Sequence, residues 1–369
     1  MTEEGSVGAS YAAAGVDVDA GERAVALMRA SIAAAQRPEV VGDFGGFAGL
    51  FDISAARTMK QPLLATSTDG VGTKIAVARA LDVHDTIGID LVAMVIDDLV
   101  VCGAEPLFMT DYIAVGSVVP ERIAAIVSGI ARGCQLAGCA LVGGETAEHP
   151  GLMKPDEYDV AGAGTGIVDA DALLGPERAR EGDIVIAMAS SGLHSNGYSL
   201  ARFVLLGDGG PGLDAHLDEL GRTVGEELLE PTRIYAQDCL ALIESVDVHA
   251  ISHVTGGGLA ANLARVLPPQ LAVDLDRSTW TPQPVFSVIG ELGRVAQSDM
   301  ERTFNMGIGM IAVVAKADAQ RAIDVLASRG LRAWAGGQLR ARRDGETGDA
   351  EAKGGRGGAV SLVGTSARG

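Results

Sequence analysis

The chain has 369 residues, of which 47% are hydrophobic and 21% are charged, a composition typical of a globular protein large enough to divide into two domains. Its net charge of −19 argues against general nucleic-acid binding, which depends on Lys and Arg neutralising phosphates, although a small phosphorylated substrate remains compatible with it. No run of about 18 uncharged apolar residues is present and residues 1–4 lack a signal-peptide pattern, so we expect a cytoplasmic protein without membrane contacts.

The four cysteines are Cys102, Cys134, Cys139 and Cys239. They lack the paired spacing of a zinc site. In the reducing cytoplasm such residues are typically free thiols, and most of them are buried. We therefore predict four reduced cysteines and no zinc site.

Residues 1–18 are predicted to form a mobile segment. Asp19 has the character of a helix N-cap, and Glu22 follows three residues later as in a capping box. A helix should therefore run from Asp19 to about residue 36 and end before Pro38.

A glycine-rich stretch with two aromatic residues follows at residues 42–49 and contains Gly45 and Gly46. Two interpretations stay open for it. It is either a flexible connector or a lid that folds over phosphates.

A strand-like run at residues 62–67 leads into the most informative motif of the chain, which consists of Thr68, Asp69, Gly70, Val71, Gly72, Thr73 and Lys74. Glycines let backbone N–H groups approach a phosphate closely, and Lys74 adds a point charge. Asp69 supplies the hard oxygen that Mg²⁺ prefers. The spacing is not that of a Walker A loop, so a polar strand-to-loop turn is the competing interpretation.

A helix is predicted over residues 86–102 and carries three acidic residues, Asp90, Asp97 and Asp98. Asp90 and Asp97 are seven residues apart and share a face. Acidic side chains inside an apolar helix are unfavourable unless they meet a cation or water. This helix therefore indicates a second part of a functional site.

Apolar runs predict further strands at residues 108–115, 140–142, 159–168, 183–189, 248–252 and 306–314, and helices at residues 120–137 and 318–329. Several of these strands lead into glycine together with polar residues, namely Glu145, His194, Asn196, His253, Thr255, Gly256 and Gly257. Such a repeated design is what a site assembled from the ends of strands requires.

A break near residues 175–178 divides the predicted domains, which are an N-terminal domain at 19–172 and a C-terminal domain at 173–364. Residues 341–358 are charged and glycine-rich, which predicts a disordered loop within a hairpin, and residues 365–369 form a tail. Residues 307–312 match the dinucleotide-binding fingerprint, but that motif needs a helix to open within it. Here the apolar run continues as a strand, so we reject the match.

Taken together, these segments resemble the aminoimidazole ribonucleotide synthetase (phosphoribosylformylglycinamidine cyclo-ligase) family over about residues 10–340. The segments that carry the resemblance are Tyr11 with residues 14–21, residues 68–74, 84–94, 103–106 and 141–148, Gly192 with residues 194–200, residues 231–235, and His253 with residues 255–258. Eight segments in the same order are far more specific than any one of them.

The resemblance implies an α/β fold of the α+β type with two domains. The N-terminal domain contributes strands to a dimeric β-barrel, and an α/β C-terminal domain follows. It also implies a homodimer, with ATP and the substrate in a cleft near the dimer interface.

The implied reaction is the ATP-dependent cyclisation of formylglycinamidine ribonucleotide, a step of purine biosynthesis that releases ADP and phosphate. The formyl oxygen is a poor leaving group, and phosphorylation turns it into a good one. The ribose-bearing nitrogen then attacks the formyl carbon, and loss of phosphate closes the imidazole ring.

The resemblance also suggests roles for individual residues. Mg²⁺ ligands would be Asp69, Asp98 and Glu145, and catalytic residues would be His194, His253 and Asp98, with the histidines stabilising an oxyanion or moving protons. ATP and phosphate contacts would come from Asp69, Gly70, Val71, Gly72, Thr73, Lys74, Gly45, Gly46, Asn196, Thr255, Gly256 and Gly257. For each histidine, a structural role is the competing interpretation.

Two positions depart from the family pattern. Asp97 stands where many members carry Asn, and the extra carboxylate would enter the metal shell or raise the pKa of its neighbours. Arg29 stands where the family often has Lys, and the planar guanidinium of Arg is not equivalent to the ammonium of Lys.

Two alternatives remain open at this point. One is another ATP-using member of the superfamily, such as selenophosphate synthetase, although the reactive Cys expected near residues 42–49 is absent. The other is a non-catalytic nucleotide-binding protein. Release of ADP that depends on formylglycinamidine ribonucleotide discriminates both from a cyclo-ligase.

Overall fold

The computed structural model describes residues 17–42, 45–352 and 354–365. The predicted mobile segment at residues 1–18 lies almost wholly outside this part of the chain, and so does Tyr11. Most of the predicted tail at residues 365–369 lies outside it as well, together with Asp43 and Phe44 of the glycine-rich stretch.

The described N-terminal half contains α1 (Val18–Ala34), β1 (Val40–Val41), β2 (Leu50–Phe51), β3 (Pro62–Gly70), α2 (Ile75–Leu81), α3 (Ile87–Val100), β4 (Glu105–Val115), α4 (Pro120–Ala137), β5 (Ala140–Glu148) and β6 (Tyr158–Asp169). Four strands form a sheet in the order β3-β6-β4-β5, in which only β4 and β5 are parallel. Helices α3 and α4 pack on one face of this sheet, and α1 packs on α4. The predicted strand at 140–142 extends to Glu148, so that Glu145 lies within the strand.

Alternate glycines in β6 explain why α3 lies so close to the sheet. A Cβ atom at Gly164 would lie 2.9 Å from side-chain carbons of Val95 and Ile96, and one at Gly162 would lie 3.4 Å from Leu91. Because side chains alternate along a strand, these glycines form a flat strip on one face of β6. The strip provides the surface on which α3, with its three acids, is seated.

The described C-terminal half contains β7 (Ile184–Ala189), α5 (Tyr198–Leu206), β8 (His216–Leu217), β9 (Arg222–Thr223), α6 (Val224–Leu229), α7 (Ala236–Ser245), β10 (Val248–His253), α8 (Gly258–Arg265), β11 (Leu271–Asp276), α9 (Pro284–Gly293), α10 (Gln297–Thr303), β12 (Ile308–Val314), α11 (Ala319–Ser328), β13 (Ala333–Gln338), β14 (Arg340–Ala341) and β15 (Ala359–Val363). Its main sheet has the order β10-β12-β7-β13, and a smaller sheet has the order β14-β11-β15. All seven residues of β12 are buried. This strand confirms that residues 307–312 are not a dinucleotide-binding turn.

The loop at residues 341–358, which its composition predicts to be disordered, makes defined contacts in its described residues. Arg340 forms an ion pair with Glu346 at 2.5 Å, and the N–H of Asp349 donates to the carbonyl of Val360 at 2.8 Å. The interpretation as a hairpin is wrong, because β14 and β15 do not pair with each other. They flank β11 on opposite sides, β14 antiparallel and β15 parallel to it.

The first helix begins two residues earlier than its sequence indicates. The N-cap is Asp17, whose Oδ1 accepts the N–H of Ala20 at 3.0 Å, so the prediction of Asp19 as the cap is wrong. Both aspartates suit a cap, but the backbone N–H of Asp17 also donates to Glu148 at 2.8 Å. This long-range contact with β5 selects Asp17.

The four cysteines are free thiols, and Cys134, Cys139 and Cys239 are buried, as predicted. Within the described ranges, every helix is too short or too polar to cross a bilayer.

Candidate active site

The candidate site lies where the two halves of the chain meet, between α3 and the ends of β7 and β10. Asp90 and Asp97 of α3 are fully buried, whereas the side chain of Asp98 is 42% exposed. The hydroxyls of Thr73, just after β3, and Ser199, in the first turn of α5, lie 3.5 Å apart. Each acid of α3 has a different partner, and the partners decide what each can do.

Asp90 forms a buried ion pair with Lys74. The Nζ of Lys74 lies 2.8 Å from Asp90 Oδ1 and also donates to the carbonyls of His194 at 3.2 Å and Glu230 at 2.6 Å. The same carboxylate oxygen accepts the N–H and hydroxyl of Thr232 at 2.8 and 2.6 Å. All three donors of Lys74 are therefore satisfied within the protein, and this geometry gives no support to the prediction that Lys74 contacts phosphate.

Asp97 holds the start of α7. Both of its oxygens accept the N–H of Tyr235, at 3.0 and 3.1 Å. Burial raises the pKa of Asp97 to about 7, and the neighbouring Asp98 adds to this, although His253 and the Tyr235 N–H oppose it. The position of Asp97, facing a helix N-terminus, indicates an anchoring role between the two halves.

Asp98 and His253 form the polar centre of the site. His253 Nδ1 lies 2.9 Å from Asp98 Oδ1, and the imidazole is 3% exposed. Burial lowers the pKa of His253, but the hydrogen bond to Asp98 and the charges of Asp97, Asp98 and Asp69 outweigh it, so the net pKa is raised. The arrangement favours an imidazolium held by a carboxylate that is itself open to solvent.

His194 lies in the loop between β7 and α5, and its environment is the opposite of that of His253. The residue is 2% exposed, and its Nε2 accepts the N–H of Ser191 at 3.2 Å. Burial, followed by the positive charges of His253, Lys74 and Arg233, lowers its pKa well below the usual value. The two predicted histidines thus belong to one site, but their pKa values are shifted in opposite directions.

The glycine loop after β10 faces Asn196. The side-chain amide of Asn262 donates to the carbonyls of Thr255 at 3.2 Å and Gly258 at 2.8 Å, which fixes the loop. A Cβ atom on Gly256 would lie 3.5 Å from Asn196 Oδ1, and Gly257 has a φ of +100° that favours glycine. The structure therefore brings together the predicted residues of the two loops.

Residues 68–74, the motif at the end of β3, form a tight turn rather than an open phosphate-binding loop. Asp69 Oδ1 accepts the N–H of Gly70 at 2.8 Å, and Val71 is buried. Gly72 has a φ of +68° and would meet no atom within 4 Å if it carried a Cβ. Gly72 thus marks the open side of the turn.

Glu145 does not join Asp69 and Asp98 within one chain. In the sheet, Asp69 is paired with Gly162, and Gly162 is paired with Asp111, while Glu145 is paired with Tyr112. Three strand spacings separate Glu145 from Asp69, about 14 Å. Side-chain alternation also places Glu145 on the opposite face of the sheet.

The predicted three-carboxylate magnesium site is therefore not formed by these residues of a single chain. Among the residues that the structure describes, no group of three His, Cys, Asp or Glu side chains is placed to hold a metal ion. Spacing along the sequence does not reveal strand order, which is why the prediction combined residues from distant strands.

Gly45 and Gly46 also lie away from this centre. Their stretch joins β1 to β2, and Phe47 is fully exposed. Gly49 lies against Val142 of β5, where a Cβ atom would be 2.5 Å from the carbonyl. Since β5 is at the far edge of the sheet from β3, Gly49 at the end of the stretch lies on the side of the sheet away from Asp69.

Asp111 is a candidate that the sequence interpretation missed. It borders a cavity of about 230 Å³ between α1 and β5, which Glu145 also lines, and burial raises its pKa to about 7. A Cβ atom on Gly144 would lie 2.6 Å from Asp111 Oδ1, so this glycine makes room for the carboxyl. The sequence does contain a signal for it, because strand alternation places the acidic Asp111 on the same buried face as Met109 and Ile113.

The fold is shared with several solved structures. The chain aligns with thiamine-monophosphate kinase from Stenotrophomonas maltophilia at a TM-score of 0.62 and 20% identity, covering 94% of this chain and 97% of that chain. Escherichia coli HypE gives a TM-score of 0.63 and 19% identity, covering 93% and 94%. The structure of hydrogenase maturation protein HypE in complex with ATP aligns at a TM-score of 0.60 and 18% identity, covering 88% of this chain and 87% of that chain. At these identities the similarity establishes the fold alone.

Sequence comparison gives the family. Residues 49–168 match the N-terminal domain of AIR synthase related proteins, and residues 180–349 match the C-terminal domain. A phosphoribosylformylglycinamidine cyclo-ligase of Brevibacillus brevis is 48% identical over 90% of this chain and 96% of its own length. The phosphoribosylformylglycinamidine cyclo-ligase of Anaeromyxobacter dehalogenans is 50% identical over 91% of this chain and 97% of its own length. The chain therefore belongs to the aminoimidazole ribonucleotide synthetase, or phosphoribosylformylglycinamidine cyclo-ligase, family.

Proposed function

We propose that the chain catalyses the ATP-dependent cyclisation of formylglycinamidine ribonucleotide to 5-aminoimidazole ribonucleotide, with release of ADP and phosphate, in purine biosynthesis. Relatives that carry the cyclo-ligase name align over nine-tenths of the chain. The observation that carries the proposal at the level of residues is the contact between Asp98 and His253, which joins the two halves beside the charge of Asp69.

His253 is the group that we assign to proton transfer. Its Nδ1–H donates to Asp98, which leaves Nε2 as the atom that can give or take a proton. Ring closure removes a proton from the attacking nitrogen and releases phosphate, so a histidine that can both take and give a proton serves both steps. Asp98 keeps the imidazole in one orientation, as a carboxylate does beside a catalytic histidine.

Asp69 and Asp98 suit Mg²⁺. Both supply carboxylate oxygens, both act electrostatically on His253, and Mg²⁺ is commonly held by one or two carboxylates together with phosphates and water. When bound, the ion would offset the negative charge of ATP during phosphoryl transfer. Glu145 is not part of this pair, because strand order and side-chain alternation place it away from Asp69 and on the opposite face of the sheet.

Backbone groups rather than Lys74 are our candidates for phosphate contact. Gly72 stands on the open side of its turn, and Gly256, which is followed by Gly257, faces Asn196. Backbone N–H groups in glycine-rich turns bind phosphates well. Binding of ATP itself is supported by the family and by the shared fold of HypE, which has been seen in complex with ATP.

We also propose a homodimer in the cytoplasm. The face of the N-terminal sheet opposite α3 exposes Leu64 to 67% and Tyr112 to 42%, and apolar groups of this size on a sheet face suit an interface. Strands β3 and β5 are the edges of the sheet, which fits completion of a barrel by a second copy. The free thiols suit a reducing compartment.

Turnover of purified protein tests the enzymatic proposal. With ATP and Mg²⁺, ADP should be released only when formylglycinamidine ribonucleotide is present, and 5-aminoimidazole ribonucleotide should appear in equal amount. Asp69→Asn should abolish this turnover without altering the circular dichroism spectrum, whereas the exposed Asp171→Asn should leave it unchanged. Folded protein that releases no substrate-dependent ADP would instead be a nucleotide-binding protein without this activity.

A further inference from the structure

His194 carries a hydrogen-bond pattern that fixes where its proton resides. Nε2 accepts the N–H of Ser191, and a ring nitrogen that accepts a hydrogen bond bears no hydrogen. The neutral ring must therefore carry its proton on Nδ1. Nδ1 is buried and has no hydrogen-bond partner among the described residues.

The charged groups around the ring oppose any second proton. Lys74 reaches the site from the turn after β3, Arg233 from the segment before α7 and His253 from β10, and each of them lowers the pKa of His194 in addition to burial. Each of these groups has a carboxylate partner of its own, since Lys74 pairs with Asp90, Arg233 with Asp238 and His253 with Asp98, and the structure shows no carboxylate bonded to the His194 ring among the described residues. Protonating Nε2 would break the bond to Ser191 and place a second buried positive charge near that of Lys74.

The ring also has little freedom to turn. Its Cε1 atom would lie 2.4 Å from a Cβ on Gly309, and its centroid is 6.0 Å from that of Tyr235. Only glycine at position 309 leaves room for the imidazole. Gly309 of β12 and the ring of Tyr235 therefore restrict rotation of the imidazole.

The backbone of His194 is fixed as well. Its φ is +65°, a left-handed conformation that is unusual for a residue other than glycine, and its carbonyl accepts from Lys74. The loop is further held by the hydroxyl of Ser191 on the carbonyl of Pro231 at 2.7 Å. Strain of this kind is retained where it orients a functional segment, and the segment here leads directly to Asn196.

We propose that His194 is a positioning residue, held as the neutral Nδ1–H tautomer, that orients Asn196 towards the Gly256 loop and takes no part in proton transfer. His253 is then the single proton-transferring histidine of the site. The kinetic part of this inference rests on the proposed function, whereas the tautomer is a property of the protein without substrate.

Nuclear magnetic resonance of the full chain labelled with ¹⁵N-histidine tests the tautomer. One histidine should show a protonated Nδ1 and an unprotonated Nε2, with shifts that stay constant from pH 6 to pH 9. The signal is assigned by its absence from His194→Asn protein. A His194 signal that titrates in this range, or that carries its proton on Nε2, would overturn the proposal whether or not the chain is a cyclo-ligase.

Kinetics separate positioning from catalysis. His194→Asn keeps a residue that tolerates the left-handed backbone and an N–H donor, and it should raise the KM for formylglycinamidine ribonucleotide about tenfold or more while kcat falls less than tenfold. A fall in kcat of about a thousandfold at unchanged KM, the size expected for a lost acid–base group, would contradict the proposal. The exposed His216→Asn serves as the matched control and should change neither constant.

Discussion

At the scale of single residues, the three aspartates of α3 have three different roles. Asp90 is buried against Lys74, Asp97 is buried against a backbone N–H, and Asp98 is half exposed against His253. Burial and partner, rather than residue type, decide which carboxylate can serve chemistry. Of the three, Asp98 alone combines a histidine partner with a side chain open to solvent.

Replacing Lys74 tests its assignment as a structural residue. Lys74→Met should lower the free energy of unfolding by about 3–5 kcal/mol, because removing one member of a buried ion pair leaves the other charge uncompensated. Urea unfolding followed by circular dichroism measures this loss. Adding Asp90→Asn should restore part of it.

The matched control is Lys60→Met, since Lys60 pairs with Asp171 on the surface. This change should leave the unfolding curve unaltered. If Lys74→Met kept full stability and weakened only ATP binding, Lys74 would be a phosphate ligand after all.

Asp111 gives a pH dependence with a defined sign. Its pKa rises from 3.8 in the unfolded chain to about 7 on folding, so between these values the folded protein binds more protons. Stability therefore falls as pH rises through this window. Asp111→Asn should raise the melting temperature at pH 8 and have little effect at pH 4, with about 4 kcal/mol as the upper limit of the gain at pH 8.

Thermal melts of the two proteins across pH 4–8 measure the difference. Asp171→Asn, an exposed substitution, provides the reference for a carboxylate that is not buried. Equal shifts for Asp111→Asn at pH 4 and pH 8 would show that a neighbouring group, and not the buried charge, controls this site.

At the scale of elements, the position of α3 depends on the glycine strip of β6. The helix carries the acids of the site, and the strip sets its distance from the sheet. Another close approach joins α3 to α4, where a Cβ atom at Gly88 would lie 2.1 Å from the N atom of Ile130. Glycine thus acts here through packing rather than through backbone flexibility.

Gly164→Ala should therefore displace α3 and with it Asp98. The new Cβ would meet Val95 and Ile96 at 2.9 Å, and overpacking of this kind destabilises a core by about 1–3 kcal/mol. Unfolding experiments measure the stability, and kcat reports the displacement of Asp98. Gly290→Ala in α9 is the control, because its Cβ would meet nothing within 4 Å and Ala favours a helix. Equal stability of the two variants would contradict the packing role.

Local patterns predicted the elements well, and contacts between distant segments account for the errors. The helix at 120–137 and the strand at 184–189 follow directly from periodicity and flanking glycine or proline. The separation of Glu145 from Asp69 depends on strand order, and the burial of Lys74 depends on carbonyls more than 100 residues away. A seven-residue motif reveals neither the strand order nor the partners of Lys74. A lysine side chain suits a phosphate as well as it suits a carboxylate.

At the scale of the whole molecule, the residues that the structure describes cover the N-terminal sheet with helices on one face only. Gly162 and Gly164 turn towards α3, whereas Leu64 and Tyr112 point the other way and remain exposed. Because Glu145 lies on that open face, a second copy seated there would approach it. The proposed dimer would then bring Glu145 near groups that its own chain keeps about 14 Å away.

A charge placed on this face tests the dimer. Leu64→Asp should convert the protein from dimer to monomer in sedimentation velocity, since an unpaired carboxylate buried in an interface costs several kcal/mol, and turnover should fall together with the dimer fraction. Phe203→Asp, on an exposed side chain of α5 in the C-terminal half, is the control and should leave both unchanged. A Leu64→Asp protein that stays dimeric would place the interface elsewhere, and a stable monomer with full turnover would show that each chain holds a complete site, which the position of Glu145 argues against.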